Sequence, residues 1–520
     1  MGSLDWAIVG AYILGVLGLG YSIGRRQRDQ RDYYLAGNRL RSGQVGLSLM
    51  ANQVSAISLV GAPAFIALKS GGGLVWLQYE LAIPLAMIVI IAVLLPAYWR
   101  RRGLTIYEYL EGRFGRTTRS LLGLVFLVSR SLGSGVALLA ASYVTSVCLG
   151  VSLAWTVLLV GVVSLLYTSV GGIKADVYTD IIQLVILWSG SLVCIVLLFR
   201  LTGPLSFPAV ETGRLAVFDF ASNGVTDGRT FSFWPMLFGG LFLYISYYGC
   251  DQSQAQRLLA TPDEKSAARA LALNGILRFL LVLTYCLVGL LAIPLLAKFP
   301  LFAQSLHGQP PDYLIPFFLV EFVPRGLLGF MVAGVLAASM SSLDSAINSL
   351  SAVTWRDFLA RIFPRLENMP DRKKVLFSRA LTLFWGALGV AFALLMAGGS
   401  ETVIELVNKI GSAFYGPIAG VFVLGILNKR AGQRAAVAGL FAGLGLNLAL
   451  WLFRSAQVSW MWWNLTGFLT TMAVGSVGGW AREGGGKVAS ALRKHGRPAA
   501  ALAAWFLVIL TVCLVLHLAL

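Results

Sequence analysis

Histidine and cysteine are scarce, with three and five residues respectively in a chain of 520. The histidines (His307, His495, His517) stand alone, and the cysteines (Cys148, Cys194, Cys250, Cys286, Cys513) form no CxxC pair. A metal or redox centre of the Cys/His kind has little to build on, and the thiols read as apolar filler between packed helices. Charge is thin as well. Asp, Glu, Lys and Arg make up 12% of the chain, about half the level of roughly a quarter found in water-soluble domains. No polar stretch is long enough to hold a nucleotide-binding or kinase module, which argues against ATP-driven chemistry. What is present is apolar: 57% hydrophobic residues and a mean hydropathy of +0.77. The apolar residues recur in runs of about 20, the length that crosses a bilayer as a helix. Disorder, a collagen-like repeat and a disulfide-stapled secreted module are excluded; a multi-pass, all-α membrane protein is expected.

The net charge of +18 is topological rather than a nucleic-acid footprint. Thirty-one of the 41 Lys and Arg residues fall in alternate polar connections, among them Arg25 to Arg41, Arg100 to Arg119, Lys174 and Arg356 to Arg379. Such alternation marks the cytoplasmic side. Apolar segments fall near 4–24, 44–68, 73–99, 120–149, 151–170, 178–199, 232–259, 270–298, 325–354, 376–397, 402–427, 434–453, 457–480 and 500–519, fourteen in all. With the basic connections inside, both termini lie outside the cytoplasm. The first segment has no basic leader and is trailed by arginines, so it reads as a retained helix and not a cleaved signal. The expected setting is the plasma or inner membrane.

Two segments look discontinuous. The run 44–68 holds Ala51-Asn52-Gln53-Val54-Ser55 and Gly61-Ala62-Pro63; the run 232–259 holds Gly239-Gly240 and Tyr247-Tyr248-Gly249-Cys250-Asp251-Gln252. Broken helices persist in a bilayer only where the freed backbone is buried in protein or lines a cavity. Each opens a group of five segments, 44–199 and 232–427, and the two groups start on opposite sides. That pattern predicts an inverted repeat with a midplane binding site, preceded by a peripheral helix in 1–30 and followed by three in 434–520. Gly and Pro also serve helix packing and kinks.

Charges inside apolar runs mark functional sites by default, and here they are Glu80, Arg130, Asp180, Asp251, Arg278, Asp344 and Lys409. Ser341, Asp344, Ser345 and Asn348 are three, four and seven apart and share a helix face, with Ser342 beside it. Hydroxyls, a carboxylate and free carbonyls are hard oxygen donors that suit a small alkali cation. The alternative is that the serines tighten helix contacts while Asp344 pairs with a buried base such as Arg130.

Several motifs in order make the chain resemble the sodium:solute symporter family. They are Asp32-Tyr33-Tyr34-Leu35-Ala36-Gly37, the Ala51–Gly61 stretch, Tyr107-Glu108-Tyr109-Leu110-Glu111-Gly112-Arg113-Phe114, Tyr167 to Ala175 with Thr179-Asp180, Asp251 to Arg257, and the serine cluster. The resemblance implies a LeuT-like five-plus-five inverted-repeat core with broken first and sixth core helices, and sodium as the coupling ion. Carried over residue by residue, the main sodium site comprises the carbonyls of Ala51, Val54 and Ala338 with the hydroxyls of Ser341 and Ser342. A second cation site, for sodium or a proton, comprises Asp180, Ser341, Asp344 and Ser345; relatives usually carry Ser, Ala or Cys where this chain has Asp344.

The same resemblance locates a solute pocket. The sugar-binding positions of the family fall at Ser58, Glu80, Tyr244, Tyr247, Arg278 and Asn408, and the acidic position of its proline branch falls at Gln53. Only part of the sugar set is kept. Arg130, mid-membrane among Ser129, Ser131 and Ser134, needs an anionic partner: Asp344, Asp251 or a substrate carboxylate. Ser55, Trp76, Tyr79 and Phe414 complete the candidates, although such aromatics more often pack against lipid or helices. The expected function is sodium-coupled import of a small carboxylate-bearing solute, with a sugar or polyol as the alternative. A multi-pass membrane enzyme, a channel and a transporter-like sensor are the rivals of other classes. One or two sodium ions, the solute and the bilayer are the expected partners, with no organic cofactor, no nucleic acid and a monomer as the working state.

Overall fold

The computed structural model describes all residues except 26, 28, 54–55, 100–102, 204–211, 398–402, 482–484 and 520. The side chains of 56–57, 166–171, 212, 337–342, 485–487 and 519 are also outside the description. Among the described residues the regular structure is helical, with no strand. The principal helices are α1 (Ser3–Gly24), α2 (Ser42–Gln53), α3 (Ala56–Ala67), α4 (Leu74–Trp99), α5 (Arg116–Leu149), α6 (Leu153–Thr202), α7 (Gly240–Cys250) and α8 (Gln252–Leu259). They continue with α9 (Glu264–Lys298), α10 (Leu327–Val353), α11 (Asp371–Met396), α12 (Val403–Leu427), α13 (Gln433–Arg454), α14 (Trp462–Gly475) and α15 (Gly496–Ala519).

Nine helices among the described residues are long and apolar enough to span a bilayer, and α2 with α3 form one further bent span. The α14 helix, expected over 457–480, is regular for only 14 residues. Burial separates core from periphery: two-thirds or more of the apolar window is buried in α4, α5, α9 and α12, and under a third in α1, α11, α13 and α15. The outer helices present side chains such as Leu14 and Leu395 outward, where lipid satisfies them.

Both expected breaks occur. The axes of α2 and α3 differ by 52°, while the helix runs on through Pro63. In the other segment the break falls at Asp251, whose backbone is extended (φ −87°, ψ 127°) between α7 and α8. Gly239-Gly240 does not break it: a π turn over Pro235–Gly239 passes directly into α7. The expected segments 151–170 and 178–199 meet at a kink inside α6, at Gly172 with φ +61°. A Cβ there would lie 2.7 Å from the Tyr33 carbonyl oxygen, so the left-handed backbone and the close approach both require glycine.

The α10 helix packs on α5 and α6, α2 and α3 pack on α9, and α7 packs on α4 and α12. The peripheral α1 lies across α6 and α10. There the fully buried Asp5 accepts hydrogen bonds from the backbone N–H groups of Gly326 (2.6 Å) and Gly329 (2.8 Å), capping the start of α10 from another helix.

Candidate functional site

A cavity of about 100 Å³ lies among α2, α3, α4, α5, α7, α9 and α12, next to the first of the two breaks. Nine expected solute residues line it: Gln53, Ser58, Trp76, Tyr79, Arg130, Tyr244, Tyr247, Arg278 and Asn408. Their placement follows from local geometry. The first turns of α4, Leu74–Leu81, are a 3₁₀ helix, in which residues three apart eclipse; Trp76 and Tyr79 therefore project together, with ring centroids 5.6 Å apart. Tyr79 continues onto Tyr244 at 4.8 Å. A Cβ on Gly240 would lie 2.6 Å from the Tyr79 ring, so that glycine lets α7 close on the aromatic wall.

Three expected solute residues stand elsewhere. Glu80, one residue past Tyr79, turns away from the cavity to meet Arg278, its Oε2 2.9 Å from Nε and its Oε1 3.0 Å from an Nη atom. Asp251 serves as the N-cap of α8, accepting from the Ser253 N–H at 2.8 Å. Phe414 does not line the cavity. The exposed stripe of α12 is Ile404, Val407, Asn408 and Tyr415, and Phe414 lies about 100° around the helix from Tyr415. Ser55 lies outside the described residues.

Two guanidinium groups reach the cavity and differ in state. Arg278 is neutralised by Glu80 and further held by Tyr244 Oη at 2.9 Å and Tyr248 Oη at 3.4 Å. Tyr248 in turn donates to Gln53. Arg130 makes no direct ion pair among the described residues and its buried Nε has no hydrogen-bond partner, while Asp251 and Tyr247 act on it electrostatically. Its guanidinium carbon sits 5.8 Å from the Tyr247 ring centroid, a cation–π distance. Lys409, the third cation of α12 and its surroundings, faces Trp451 at 5.9 Å and takes no part in the cavity lining.

Above the cavity, Asp312 Oδ2 accepts the Val403 N–H at the start of α12 (3.0 Å), and Lys69 pairs with Glu405 at 3.0 Å. Burial raises the Asp312 carboxyl to about 6, with Glu405 adding to the shift and Lys69 opposing it. Below, a network joins α2, α6, α8 and α10. Asp180 accepts from Ser48 and from Arg257 (2.9 Å), and the same Arg257 nitrogen donates to Ser345.

Of the second cation site expected at Asp180, Ser341, Asp344 and Ser345, Asp180 and Ser345 both accept from one Arg257 nitrogen. Asp344 is fully buried on α10 and, with Asp180, acts electrostatically on Tyr12 of α1. Asp176, one turn before Asp180, accepts from Asn348 at 3.2 Å. Among the described residues, Asp176, Asp180 and Asp344 thus share this region with the Arg257 guanidinium. For the main sodium site, Ala51 is buried near the end of α2, beside α10. Val54 and the side chains of Ala338, Ser341 and Ser342 lie outside the described residues. Among the described residues no three His, Cys, Asp or Glu side chains cluster as metal ligands.

Sequence reasoning missed Asn52, Ala62, Gly133, Ala137, Leu243, Val282, Tyr285, Ile404, Val407 and Tyr415, and named Ser134 only as a neighbour of Arg130. Most are apolar or small, with no signal to set them apart from packing residues.

Comparison with known proteins gives a consistent picture. The model of the sodium:solute symporter family matches residues 33–443. The human sodium/iodide cotransporter is 30% identical over 468 residues, covering 88% of this chain and 70% of its own. The cattle sodium-coupled monocarboxylate transporter 2 is 30% identical over 464 residues, covering 85% and 71%. In fold, the chain is similar to a Na⁺-coupled sialic acid symporter solved in a substrate-bound outward-open state, with a TM-score of 0.79 at 23% identity over 92% of this chain and 97% of that one. It is also similar to MhsT in complex with L-phenylalanine, at TM-score 0.52 and 14% identity over 83% and 97%. These neighbours share the LeuT-like architecture.

Proposed function

The chain belongs to the sodium:solute symporter family, and from that premise we propose that it imports a small carboxylate-bearing solute together with sodium. It is a multi-pass membrane transporter and not an enzyme. The observation that carries the proposal is the contrast between the two cavity arginines: Glu80 meets Arg278 directly, whereas Arg130 keeps an unbonded Nε beside the cavity and feels Asp251 only through space. A monoanion supplies the direct partner that Arg130 lacks, and a carboxylate matches the guanidinium fork with two parallel bonds. The aromatic wall of Trp76, Tyr79 and Tyr244 suits a short organic body. A cavity of about 100 Å³ favours a solute of few heavy atoms. Two relatives are named for anions, iodide and monocarboxylates.

Sodium held between the α2–α3 break and α10 would stabilise the conformation in which α3 and α7 form the solute pocket, so each ligand raises the other's affinity equally. One sodium with a monoanion moves no net charge. Two sodium ions move one, contributing about 2.3 kcal/mol per 100 mV. Both repeats, residues 44–199 and 232–427, would rock about this site with the basic connections facing the cytoplasm.

The test is uptake by proteoliposomes under an inward sodium gradient, with short monocarboxylates, iodide and a hexose as probes. Saturable, sodium-dependent monocarboxylate uptake that Arg130→Gln reduces by a factor on the order of a hundred supports the proposal. Preferential hexose uptake, or carboxylate uptake indifferent to Arg130→Gln, rejects it. An Asp344→Asn chain with unchanged sodium dependence and pH profile removes Asp344 from the cation site.

A further inference from the structure

A second, larger pocket of about 820 Å³ opens at the end of the bundle marked as cytoplasmic by its arginines. It lies where α1 ends, α2 begins and α6 resumes after its kink. Arg39, Arg41 and Lys174 stand at its rim, all exposed. None of the three makes an ion pair or a side-chain hydrogen bond among the described residues. Asp32 is the one carboxylate in the lining, so the cations outnumber it. Many other basic residues at this end are already paired: Arg119 with Asp357 and Glu111, Arg356 with Glu108 and Glu367, Lys494 with Glu264.

The opposite wall is apolar, formed by Leu19 and Ile23 of α1 together with Leu40. The α1 helix is peripheral, with only 22% of its apolar window buried within the protein, so this wall is continuous with a surface that lipid covers. An uncompensated cation cluster on one side and a lipid-facing apolar wall on the other match the two halves of a single molecule.

From this juxtaposition we infer that the pocket binds the phosphate headgroup of an anionic phospholipid, with an acyl chain laid along Leu19 and Ile23. Basic pockets between helices on the cytoplasmic side hold such headgroups. A soluble phosphate would use the cations and leave the apolar wall idle. The bound headgroup would tie the start of α2 to α6, two elements otherwise joined here by Gln44 donating to Tyr178 Oη at 3.1 Å.

The test uses the full chain, delipidated and returned to nanodiscs or examined by native mass spectrometry. Phosphatidylglycerol, phosphatidylcholine of the same chains, glycerol phosphate and inorganic phosphate are the probes. Two triple variants remove equal charge: Arg39→Gln/Arg41→Gln/Lys174→Gln at the pocket, and Arg365→Gln/Arg372→Gln/Lys373→Gln on exposed surface at the same end. The expected result is retention of phosphatidylglycerol by the wild type and the surface triple, with a loss on the order of a hundredfold for the pocket triple. Equal retention by all three chains, equal loss from both triples, or equal stabilisation by either soluble phosphate overturns the inference.

Discussion

Glu80 and Arg278, on different helices and both nearly fully buried, meet through two hydrogen bonds of 2.9 and 3.0 Å. Removing one partner strands the other charge away from water. Glu80→Gln and Arg278→Met are each expected to destabilise the protein by about 3–5 kcal/mol. The double variant should recover most of that loss, and chemical denaturation in a thermodynamic cycle measures the coupling.

Asp312 makes the outer contact sensitive to acid. Its folded-state pKa of about 6 lies above the ordinary 3.8, so its contribution is fully present below pH 3.8 and lost as pH rises through about 6. A shift of about two units corresponds to roughly 3 kcal/mol at most. The wild type should therefore melt at a higher temperature at pH 5 than at pH 7.5, relative to an Asp312→Asn chain whose difference is smaller. Asn keeps a carbonyl oxygen for the Val403 N–H and has no charge to titrate.

Gly172 is expected to tolerate no side chain. Gly172→Ala combines a left-handed backbone with a contact 2.7 Å from the Tyr33 carbonyl, for a cost of roughly 1–3 kcal/mol from backbone conformation and more from the clash. Gly133→Ala, with open space around it, serves as the control in thermal melting.

Gly240 offers a probe of the cavity itself. A methyl group at this position would push against Tyr79, 2.6 Å away, a ring that lines the cavity. Gly240→Ala should raise the KM for the solute severalfold, while Ala should fit the helix without penalty. Solute titration of initial uptake rates at fixed sodium checks it.

Much of this architecture was legible in the chain. Polar residues within an apolar run have few acceptable positions in a bilayer, so Ala51–Ser55 and Tyr247–Gln252 mark the breaks in the sequence itself. Rotation about a helix axis was less legible: Phe414 and Tyr415 are neighbours in sequence, yet only Tyr415 lines the cavity. Partners across helices were the hardest to see. Nothing local to Asp180 announces that Arg257, 77 residues away, donates to it, or that Glu80 turns from the cavity toward Arg278.

The carboxylate of Asp5 gives the outermost helix a task inside the machine. Because it stoppers the opening turn of α10, a single carboxylate four residues after Met1 anchors the helix whose hydroxyl-rich face is expected to hold sodium. Trimming the leading two dozen residues, or crowding them with a fused affinity tag, would loosen that helix at its root although every cavity-lining side chain stayed intact.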